Sequence, residues 1–314
     1  MSQSFTIQAS RIEGELKMKF GLRYCNTGHY VEPDKAVELL QAGEEAGFES
    51  AWTVEHTILP ENYESPYPYS ADGKIGGGRN DIPLPDPLIW MAYVAAQTST
   101  IKLGTGIMIL PQHNPVIAAK QIATLDVMSK GRMLLGIGVG WLAEEFDVLG
   151  VDFATRAART DEYVAIMRAL WSEEKPAFNG EFTQFDPVFC RPQPVNGSVP
   201  IMVGGHSKAA ARRAGRIGDG FFPARGISEE LIAIARASAS DAGRDPDALE
   251  ITASLPETME QIPALAKLGI HRILVPLTPT PGMASWIRNP EEALAWRDQI
   301  DQYQIGRASC RERV

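Results

Sequence analysis

Cysteine is scarce in this 314-residue chain, which has three, at widely separated positions. Cys25, Cys190 and Cys310 are odd in number and lack C-x-x-C spacing, so they suggest neither a disulfide framework nor a zinc site. Uninterrupted apolar runs of about 18 residues are also absent, and so is a signal peptide. We therefore expect a cytoplasmic protein rather than a membrane-spanning or secreted one.

Clusters of positive charge are missing too. The net charge is −9, and no block or stripe of Lys and Arg occurs. This balance argues against a nucleic acid or a membrane surface as a partner. The apolar fraction of 44% and the charged fraction of 22% are instead those of an ordinary soluble protein of enzyme size.

Familiar hydrolase motifs are absent as well. The chain has no H-x-H or H-E-x-x-H pattern for a metal ion and no G-x-S-x-G nucleophile elbow. We therefore expect no metal site, and a metal-dependent barrel hydrolase stays open as a less favoured alternative. Glu55 and Glu144 leave glycoside hydrolysis open as a minor one.

What the chain does have is a regular alternation of strand-like and helix-like segments. Glycine often links a helix to the next strand, as in AGFESAW, SKGRMLL and KLGIHRIL. Strict alternation implies a parallel sheet, and eight units in about 290 residues favour a closed (β/α)8 TIM barrel. A doubly wound open sheet is the alternative. The predicted strands cover 18–24, 49–54, 101–109, 132–138, 200–204, 219–223, 249–254 and 271–276, and the predicted helices cover 34–47, 87–98, 115–129, 157–172, 207–217, 229–242, 257–268 and 290–303.

Two insertion loops interrupt this rhythm. Residues 57–86, after the second strand, are rich in Pro, Gly and Tyr, and residues 174–199, in the unit of the fourth strand, suggest a small hairpin outside the barrel. Long loops on a barrel usually form lids or substrate walls. We expect both to wall a substrate site, with a disordered surface loop as the alternative for 57–86.

The two ends of the chain differ from its body. The last ten residues, IGRASCRERV, resemble a translated sequencing adapter, so we interpret 305–314 as a non-native tail. The first strand pattern begins at Met18. We therefore interpret 1–17 as an N-terminal extension and 18–304 as a single barrel domain.

Glycine occupies every second position at the end of RMLLGIGVG, at Gly136, Gly138 and Gly140. A strand gives up side chains in this way where something flat or bulky lies against its backbone. The spacing does not match the dinucleotide fingerprint G-x-G-x-x-G, because no third glycine opens a helix. We expect a planar ligand over the end of this strand, with tight barrel corners as the alternative explanation.

A second glycine-rich strand end predicts an anion site. Gly204 and Gly205 precede Ser207, a predicted helix N-cap, and such a pair leaves backbone N–H groups free for an anion, usually a phosphate. Gly104 and Gly106 mark a third small-residue strand end, in IKLGTGIMILP. Together these positions predict a pocket for a flat ring with a phosphate tail.

Four of the five histidines follow predicted strand ends, where the active face of a barrel lies. They are His29, His56, His113 and His206, whereas His271 stands at a strand start. Any one of them taken alone is more often a loop residue bonded to backbone. Their grouping on one face favours a functional histidine among them.

With these residues in view, the chain resembles the luciferase-like monooxygenase superfamily, and most closely its branch of oxidoreductases that use the deazaflavin coenzyme F420. The resemblance covers Met18 to about Gln304. It rests on the motifs AWTVEH, IKLGTGIMILPQHNP, AAKQIATLDVMSKGRMLLGIGVGWLAEEFDVLG, RTDEYVAIMRALW, PIMVGGHS and AGRIGDGFFP.

The resemblance implies a set of site residues on a barrel that binds its flavin at the carboxyl face. His56 would be the proton donor or acceptor near the reactive ring, and Glu55 its acidic neighbour. Gly106 and Ile107 would form a strand bulge, often with a cis peptide bond, behind the ring. The remaining cofactor-binding positions implied are Asn114, Gly140, Trp141, Gly204, Gly205, His206 and Ser207.

The implied activity is hydride transfer between F420 and a small organic substrate, with homodimers usual for the family. The F420 tail is a polyanion, so Lys74, Arg79 and Arg225 are candidates for guiding it. An FMN-dependent two-component monooxygenase, supplied by a separate flavin reductase, is the main alternative. A non-catalytic flavin-binding protein and the metal-dependent hydrolase remain behind it.

Overall fold

The computed structural model describes residues 18–224 and 226–304. One parallel sheet contains nine of its strands, and two more form a separate hairpin. In chain order the strands are β1 (Lys19–Arg23), β2 (Ser50–Thr53), β3 (Lys102–Thr105), β4 (Met108–Ile109), β5 (Met133–Gly138), β6 (Phe178–Asn179), β7 (Gln184–Phe185), β8 (Ile201–Gly204), β9 (Gly220–Phe222), β10 (Glu250–Ser254) and β11 (Arg272–Pro276).

The parallel sheet closes on itself. Its strands pair in the order β2, β1, β11, β10, β9, β8 and β5, and β3 joins β5 back to β2. Strands β3 and β4 are two halves of one predicted strand and pair with successive parts of β5. The ring therefore has eight positions, so the predicted (β/α)8 barrel is confirmed and the open doubly wound sheet is wrong.

Helices lie between the strands at nearly all predicted places. The eighth predicted helix divides in two near Trp296, and one short helix, α4, was not predicted. The helices are α1 (Pro33–Ala46), α2 (Pro87–Ala95), α3 (Pro115–Met128), α4 (Ala143–Val148), α5 (Arg156–Ser172), α6 (Lys208–Ile217), α7 (Glu229–Asp241), α8 (Ile262–Lys267), α9 (Pro290–Ala295) and α10 (Arg297–Gln304). No helix in the described ranges is long and apolar enough to cross a membrane.

Local chemistry explains why these helices begin and end where they do. Helices α2 and α3 both start with proline, whose missing N–H costs nothing in the first turn. The residue before each proline, Asp86 for α2 and Asn114 for α3, caps the helix by accepting free backbone N–H groups with its side chain. Helix α1 ends at Gly47, whose φ of 94° is the left-handed conformation that glycine adopts without strain.

The barrel interior is filled at its middle by large side chains from five strands. They form a separate buried cluster of Trp52, Leu134, Met202, Phe222 and Leu274. The larger core lies between the sheet and the surrounding helices. Such filling makes the barrel a packed support, and its function is left to the loops at one end.

A buried ion-pair network closes the opposite, amino-terminal end of the barrel. Arg272 is 0% exposed. Its Nε lies 2.8 Å from Glu49 Oε2, and its Nη1 lies 2.5 Å from Glu250 Oε1. Lys19 also contacts Glu250. Burial alone would raise the pKa of Glu49, but the hydrogen bonds and charge of Arg272 lower it to about 2.

The segment 174–199 contains the predicted hairpin, formed by β6 and β7. It follows helix α5 rather than a strand, so it lies at the amino-terminal end of the barrel. Val195 there donates its N–H to Asp126 Oδ2 over 2.8 Å, near the start of β5. No residue of the segment lines the cavity at the other end. The expectation that 174–199 walls the substrate site is therefore wrong.

The predicted N-terminal extension 1–17, the adapter-like tail 305–314 with Cys310, and Arg225 lie outside the described residues. Cys25 and Cys190 are both buried and free. Burial raises the pKa of the Cys25 thiol to about 12.

Candidate active site

A cavity of about 780 Å³ opens at the carboxyl ends of the barrel strands. This volume is within the range of about 300–1,000 Å³ that is usual for small-molecule and cofactor sites. Ten of the eleven site residues predicted from the sequence line it: Glu55, His56, Gly106, Ile107, Gly140, Trp141, Gly204, Gly205, His206 and Ser207.

The Gly106–Ile107 peptide bond is cis, as the family resemblance led us to expect. It separates β3 from β4, and Ile107 forms part of the cavity wall. A Cβ atom at Gly138 would lie 2.3 Å from Ile107 Cδ1, and one at Gly204 would lie 2.6 Å from Ile107 Cγ2. These two glycines therefore make room for the side chain of Ile107 inside the barrel mouth.

The other glycines of RMLLGIGVG also face protein atoms. A Cβ at Gly136 would lie 1.9 Å from the Thr105 carbonyl oxygen, and one at Gly140 would lie 2.6 Å from the Phe146 ring. The prediction that the missing side chains leave space for a planar ligand is therefore wrong, because protein atoms fill that space. Gly138 and Gly140 still contribute backbone to the cavity wall.

His56 is held by a buried carboxylate that the sequence did not reveal. Its Nδ1 lies 2.9 Å from Glu145 Oε2, and Glu145 is 0% exposed. The other oxygen of Glu145 accepts the N–H groups of Thr57 and Ile58 over 2.7 and 3.2 Å. Burial alone would raise the pKa of Glu145, but the hydrogen bond and charge of His56 bring it below its usual value.

Glu55, the neighbour of His56, has a different set of partners. Its Oε2 accepts the N–H of Ile109 over 2.5 Å, and its Oε1 lies 3.0 Å from His113 Nε2. Burial opposes protonation of His113, but the hydrogen bond and charge of Glu55 raise its pKa above the ordinary 6.5. Glu55 therefore fixes β4 and His113 while lining the cavity.

The insertion loop 57–86 is fastened over the cavity by helix α4. Glu144 Oε1 accepts the N–H groups of Glu64 and Ser65 over 2.6 and 3.1 Å, and Ala143 donates its N–H to Ser65 Oγ. Despite some burial, these bonds and the Ser65 side chain lower the pKa of Glu144 to about 2. The loop is therefore an ordered wall, as predicted, and not a free surface loop.

Trp141 is the centre of an aromatic cluster beneath this loop. Its ring makes edge contacts with His56, Tyr63 and Tyr67, at centroid distances of 5.7, 5.6 and 5.1 Å. Such edge-to-face pairs contribute about 0.5–1.5 kcal/mol each beyond the area they bury. The tyrosines of the loop therefore pack against the end of β5, next to the histidine.

At the far side of the cavity, the Gly204–Ser207 turn leads into α6. Ser207 caps the helix by accepting the Ala210 N–H, as predicted. The Gly205 N–H, however, donates to the Phe222 carbonyl over 3.2 Å. The prediction that both glycine N–H groups are free for an anion is therefore wrong for Gly205.

Two arginines that the sequence reading missed line the same side, Arg156 and Arg213. Arg213 Nε lies 2.5 Å from Asp161, and its Nη2 donates to the Ala157 carbonyl over 3.3 Å. Arg156 Nη1 donates to the Phe153 carbonyl, but its Nε is buried and has no hydrogen-bond partner in the described part of the chain. Burial lowers the pKa of Arg156.

Comparison with known proteins now bears on this arrangement. The profile of the family described as luciferase-like monooxygenase matches residues 18–305, nearly the whole chain. The chain belongs to the luciferase-like monooxygenase family.

Two relatives and one solved structure show the extent of the likeness. An uncharacterized protein of Mycobacterium tuberculosis is 30% identical over 260 residues, covering 82% of this chain and 91% of that protein. The F420-dependent glucose-6-phosphate dehydrogenase of Kineococcus radiotolerans is 30% identical over 297 residues, covering 91% of this chain and 82% of that enzyme. The coenzyme F420-dependent tetrahydromethanopterin reductase of Methanopyrus kandleri superposes with a TM-score of 0.69 at 17% identity, covering 92% and 100% of the two chains.

Not every predicted residue of this luciferase-like barrel reaches the cavity. Asn114 lies outside its lining, and its Oδ1 accepts the N–H groups of Val116 and Ile117 as the N-cap of α3. Lys74 donates to the Tyr63 carbonyl within the insertion loop, and Arg79 pairs with Asp81 on the surface. No described group of His, Cys, Asp and Glu side chains could hold a metal ion.

Proposed function

We propose that this chain is an oxidoreductase that transfers a hydride between coenzyme F420 and a small organic substrate. The observation that carries the proposal is the two-sided cavity. A histidine held by a buried carboxylate lies on one side, and two arginines lie on the other. The relative from Kineococcus radiotolerans, whose alignment covers 91% of this chain, is named as an F420-dependent enzyme.

The arginine side suits the phosphate of the F420 tail. Arg156 is the first residue of α5, where its charge adds unfavourably to the positive end of the helix dipole. A phosphate there would relieve that repulsion and give the buried Arg156 Nε an acceptor. Arg213 and the start of α6 lie beside it. The residues present therefore fit a flat cofactor with an anionic tail.

The ring side suits proton transfer. F420, when bound, supplies the hydride chemistry, and the protein supplies orientation and proton management. With Nδ1 directed at Glu145, the Nε2 of His56 is the nitrogen that remains for a reacting group. Imidazole gives and takes protons near neutrality. Ile107 would support the ring from behind, and Glu55 would act by fixing β4 behind it.

A second candidate is the FMN-dependent two-component monooxygenase, which the family name favours. It would use the same cavity and would need a separate flavin reductase. Both cofactors have a ring and a phosphate, so the cavity shape described above suits either.

A cofactor titration tests the choice. Purified protein is titrated with F420 and with FMN, and binding is followed by the change in each cofactor's own absorbance and fluorescence. We expect tight binding of F420 and weak binding of FMN. FMN binding that is equal or tighter, together with oxygen-dependent turnover, would favour the monooxygenase.

The role of His56 can be tested by substitution, with His29 as the matched control. His29 is an exposed histidine at the same end of the barrel but outside the cavity lining. His56→Ala should abolish hydride transfer with F420 affinity kept, and His29→Ala should leave both unchanged. Unchanged turnover in His56→Ala would contradict the assignment.

The homodimer stays a prediction, now with a candidate surface. Ile89 and Tyr93 on α2 and Ile117 on α3 are exposed apolar side chains on two packed helices. Exposed apolar groups that cluster in this way often mark an interface. Light scattering of the protein and of Ile117→Arg would test it, since the substitution should yield monomers if these helices form the contact.

A further inference from the structure

We propose that the substrate of this site is an uncharged, mainly apolar molecule with a single hydrogen-bonding polar group, such as an aliphatic ketone or its alcohol. The inference rests on the proposed function, because it concerns the part of the cavity that the cofactor would leave to the substrate. It begins from how charge is distributed around the cavity.

Among the described lining residues, the arginine side chains lie on one side. Arg156 and Arg213 belong to the units that follow β5 and β8. Strand β8 lies four places from β1 in the ring of eight, and so on the opposite side of the barrel. The wall beyond β1 therefore lies across the barrel from Arg213, whereas Arg156, in the β5 unit, is two places round the ring from β2.

That opposite wall comes from the β1 end and the insertion loop. The loop lines the cavity with the apolar side chains of Ile75, Ile82 and Leu84 and with the aromatic rings of Tyr67 and Tyr69. Among the described residues of this wall, the carboxylate is that of Glu55 and the imidazole is that of His56. Glu55 is hydrogen-bonded to Ile109 and His113, and His56 is hydrogen-bonded to Glu145.

Besides Glu55 and His56, the polar side chains that line this wall carry hydroxyl groups. Burial, the largest cause, raises the pKa of the Tyr67 phenol, so it stays protonated at neutral pH. The described cations Arg23 and Lys74 lie outside the lining. The Arg23 guanidinium is 4.4 Å from the centre of the Tyr24 ring and donates to the Tyr24 hydroxyl, and Lys74 donates to the Tyr63 carbonyl. A carboxylate or phosphate here would lose its water without gaining a counter-charge, which is costly. A neutral carbonyl group, in contrast, needs only one hydrogen-bond donor and no counter-charge.

The test is a series of ligands that differ in length and charge. The full chain, with and without oxidised F420, is titrated with 2-butanone, 2-pentanone, 2-hexanone and 2-heptanone, with tryptophan fluorescence as readout because Trp141 lines the cavity. Affinity should rise about threefold to fourfold for each added methylene. The matched anion 6-oxoheptanoate and glucose 6-phosphate should bind at least tenfold more weakly than 2-heptanone.

A charge placed in the wall should reverse this preference. Leu84→Lys should weaken the binding of 2-heptanone and strengthen the binding of 6-oxoheptanoate. Val148→Lys, on the exposed face of α4, should leave both affinities unchanged. Because Arg225 follows the lining residue Ala224, Arg225→Ala is tested with the same pair and should leave the ratio unchanged.

The outcomes separate the two proposals. Failure to bind F420 would contradict the proposed function, whatever the ketone series shows. F420 binding with no chain-length dependence, or with tighter binding of either anion, would overturn the inference about the substrate alone. An anion preference that disappears in Arg225→Ala would overturn it too and would identify the responsible cation.

Discussion

His56 Nδ1 lies 2.9 Å from Glu145 Oε2, although the two residues are 89 positions apart in the chain. Glu145 also accepts two backbone N–H groups from the residues that follow His56. One buried carboxylate thus fixes both the ring and the backbone of the loop that carries it. Such an arrangement sets which ring nitrogen faces the cavity, as outer partners of catalytic histidines do elsewhere.

Glu145→Gln should therefore act through His56. The amide keeps the shape of the carboxylate but no longer stabilises the protonated imidazole, so we expect the catalytic rate to fall by about 10–100-fold. The pH–rate profile should also shift to lower pH. Glu144→Gln is the matched control, because it removes a neighbouring carboxylate that holds the insertion loop without contacting His56.

Rate and pH profile together decide this prediction. A purely structural role for Glu145 would lower thermal stability and F420 affinity while leaving the pH profile in place. Equal effects of the two substitutions on that profile would contradict a positioning role. Stopped-flow measurement of the single-turnover hydride step, over a range of pH, provides both readouts.

Gly138 and Ile107 provide a second prediction. Gly138→Ala would place a methyl group against the end of the Ile107 side chain, which must turn towards the cavity. We expect about 1–3 kcal/mol of destabilisation, as for other overpacked cores, and weaker cofactor binding. Adding Ile107→Ala should restore much of the stability because it removes the clashing atoms.

Urea unfolding of the single and double variants measures this coupling. Gly136→Ala is the contrasting case, since its methyl group would meet the Thr105 carbonyl oxygen of the backbone, which cannot turn away. It should be more destabilising than Gly138→Ala, and Ile107→Ala should not rescue it. Additive effects of Gly138→Ala and Ile107→Ala would contradict the proposed contact.

These glycines show how far sequence reasoning reaches. Alternation of apolar strands with capped helices was enough to predict the barrel, because each unit is local and its period is regular. The unusual density of glycine at the end of β5 indicated close approach of another group. The approaching atoms belong to Thr105 at the end of β3, to Ile107 between β3 and β4, and to Phe146 of α4. The contacts at these glycines depend on how β3 and β4 both pair with β5, and no local sequence pattern encodes that pairing.

The arginines were missed for a related reason. Arg156 and Arg213 are ordinary helix residues in the sequence, and neither belongs to a glycine-rich strand end or a recognisable motif. A usable signal did exist, since Arg156 is at the start of the helix in a βα unit, at the carboxyl end of the barrel. Helix α4 was missed because six residues show too little periodicity, so the partner of His56 was missed with it.

Arg156 gives a third prediction. Arg156→Met keeps much of the side-chain length but removes the charge and the unpartnered Nε. We expect about 10-fold or greater loss of affinity for F420, in line with about 1.5–3 kcal/mol for a hydrogen bond to a charged group. Affinity for the deazaflavin ring and ribityl chain without the phosphate should barely change.

Fluorescence titration with the phosphorylated and phosphate-free compounds measures the difference. Arg216→Met is the control, because Arg216 pairs with the same Asp161 as Arg213 but is half exposed and outside the cavity lining. Equal loss of affinity for both compounds would mean that Arg156 supports the fold rather than the phosphate.

The ion-pair network at the amino-terminal end of the barrel gives the last prediction. The pKa of Glu49 is lowered from 4.5 to about 2 in the folded protein. A lowered carboxyl pKa stabilises the fold above the unfolded value and loses that contribution as pH falls through the folded value. Stability should therefore decline between about pH 4.5 and about pH 2. Arg272→Met removes the buried guanidinium between Glu49 and Glu250 and leaves them paired with Lys102 and Lys19 at the edge of the network. It should cost about 3–5 kcal/mol at pH 7.

The difference between the wild-type protein and Arg272→Met should shrink as the pH falls through that range, because protonated carboxyls no longer need the guanidinium. Lys35→Met is the control, since Lys35 pairs with Glu38 on the surface of α1 and exposed pairs contribute little. Its unfolding midpoint in urea should follow the wild-type value at each pH. A constant difference for Arg272→Met from pH 7 to pH 2.5 would mean that packing, not the lowered pKa of Glu49, accounts for the stability that Arg272 provides.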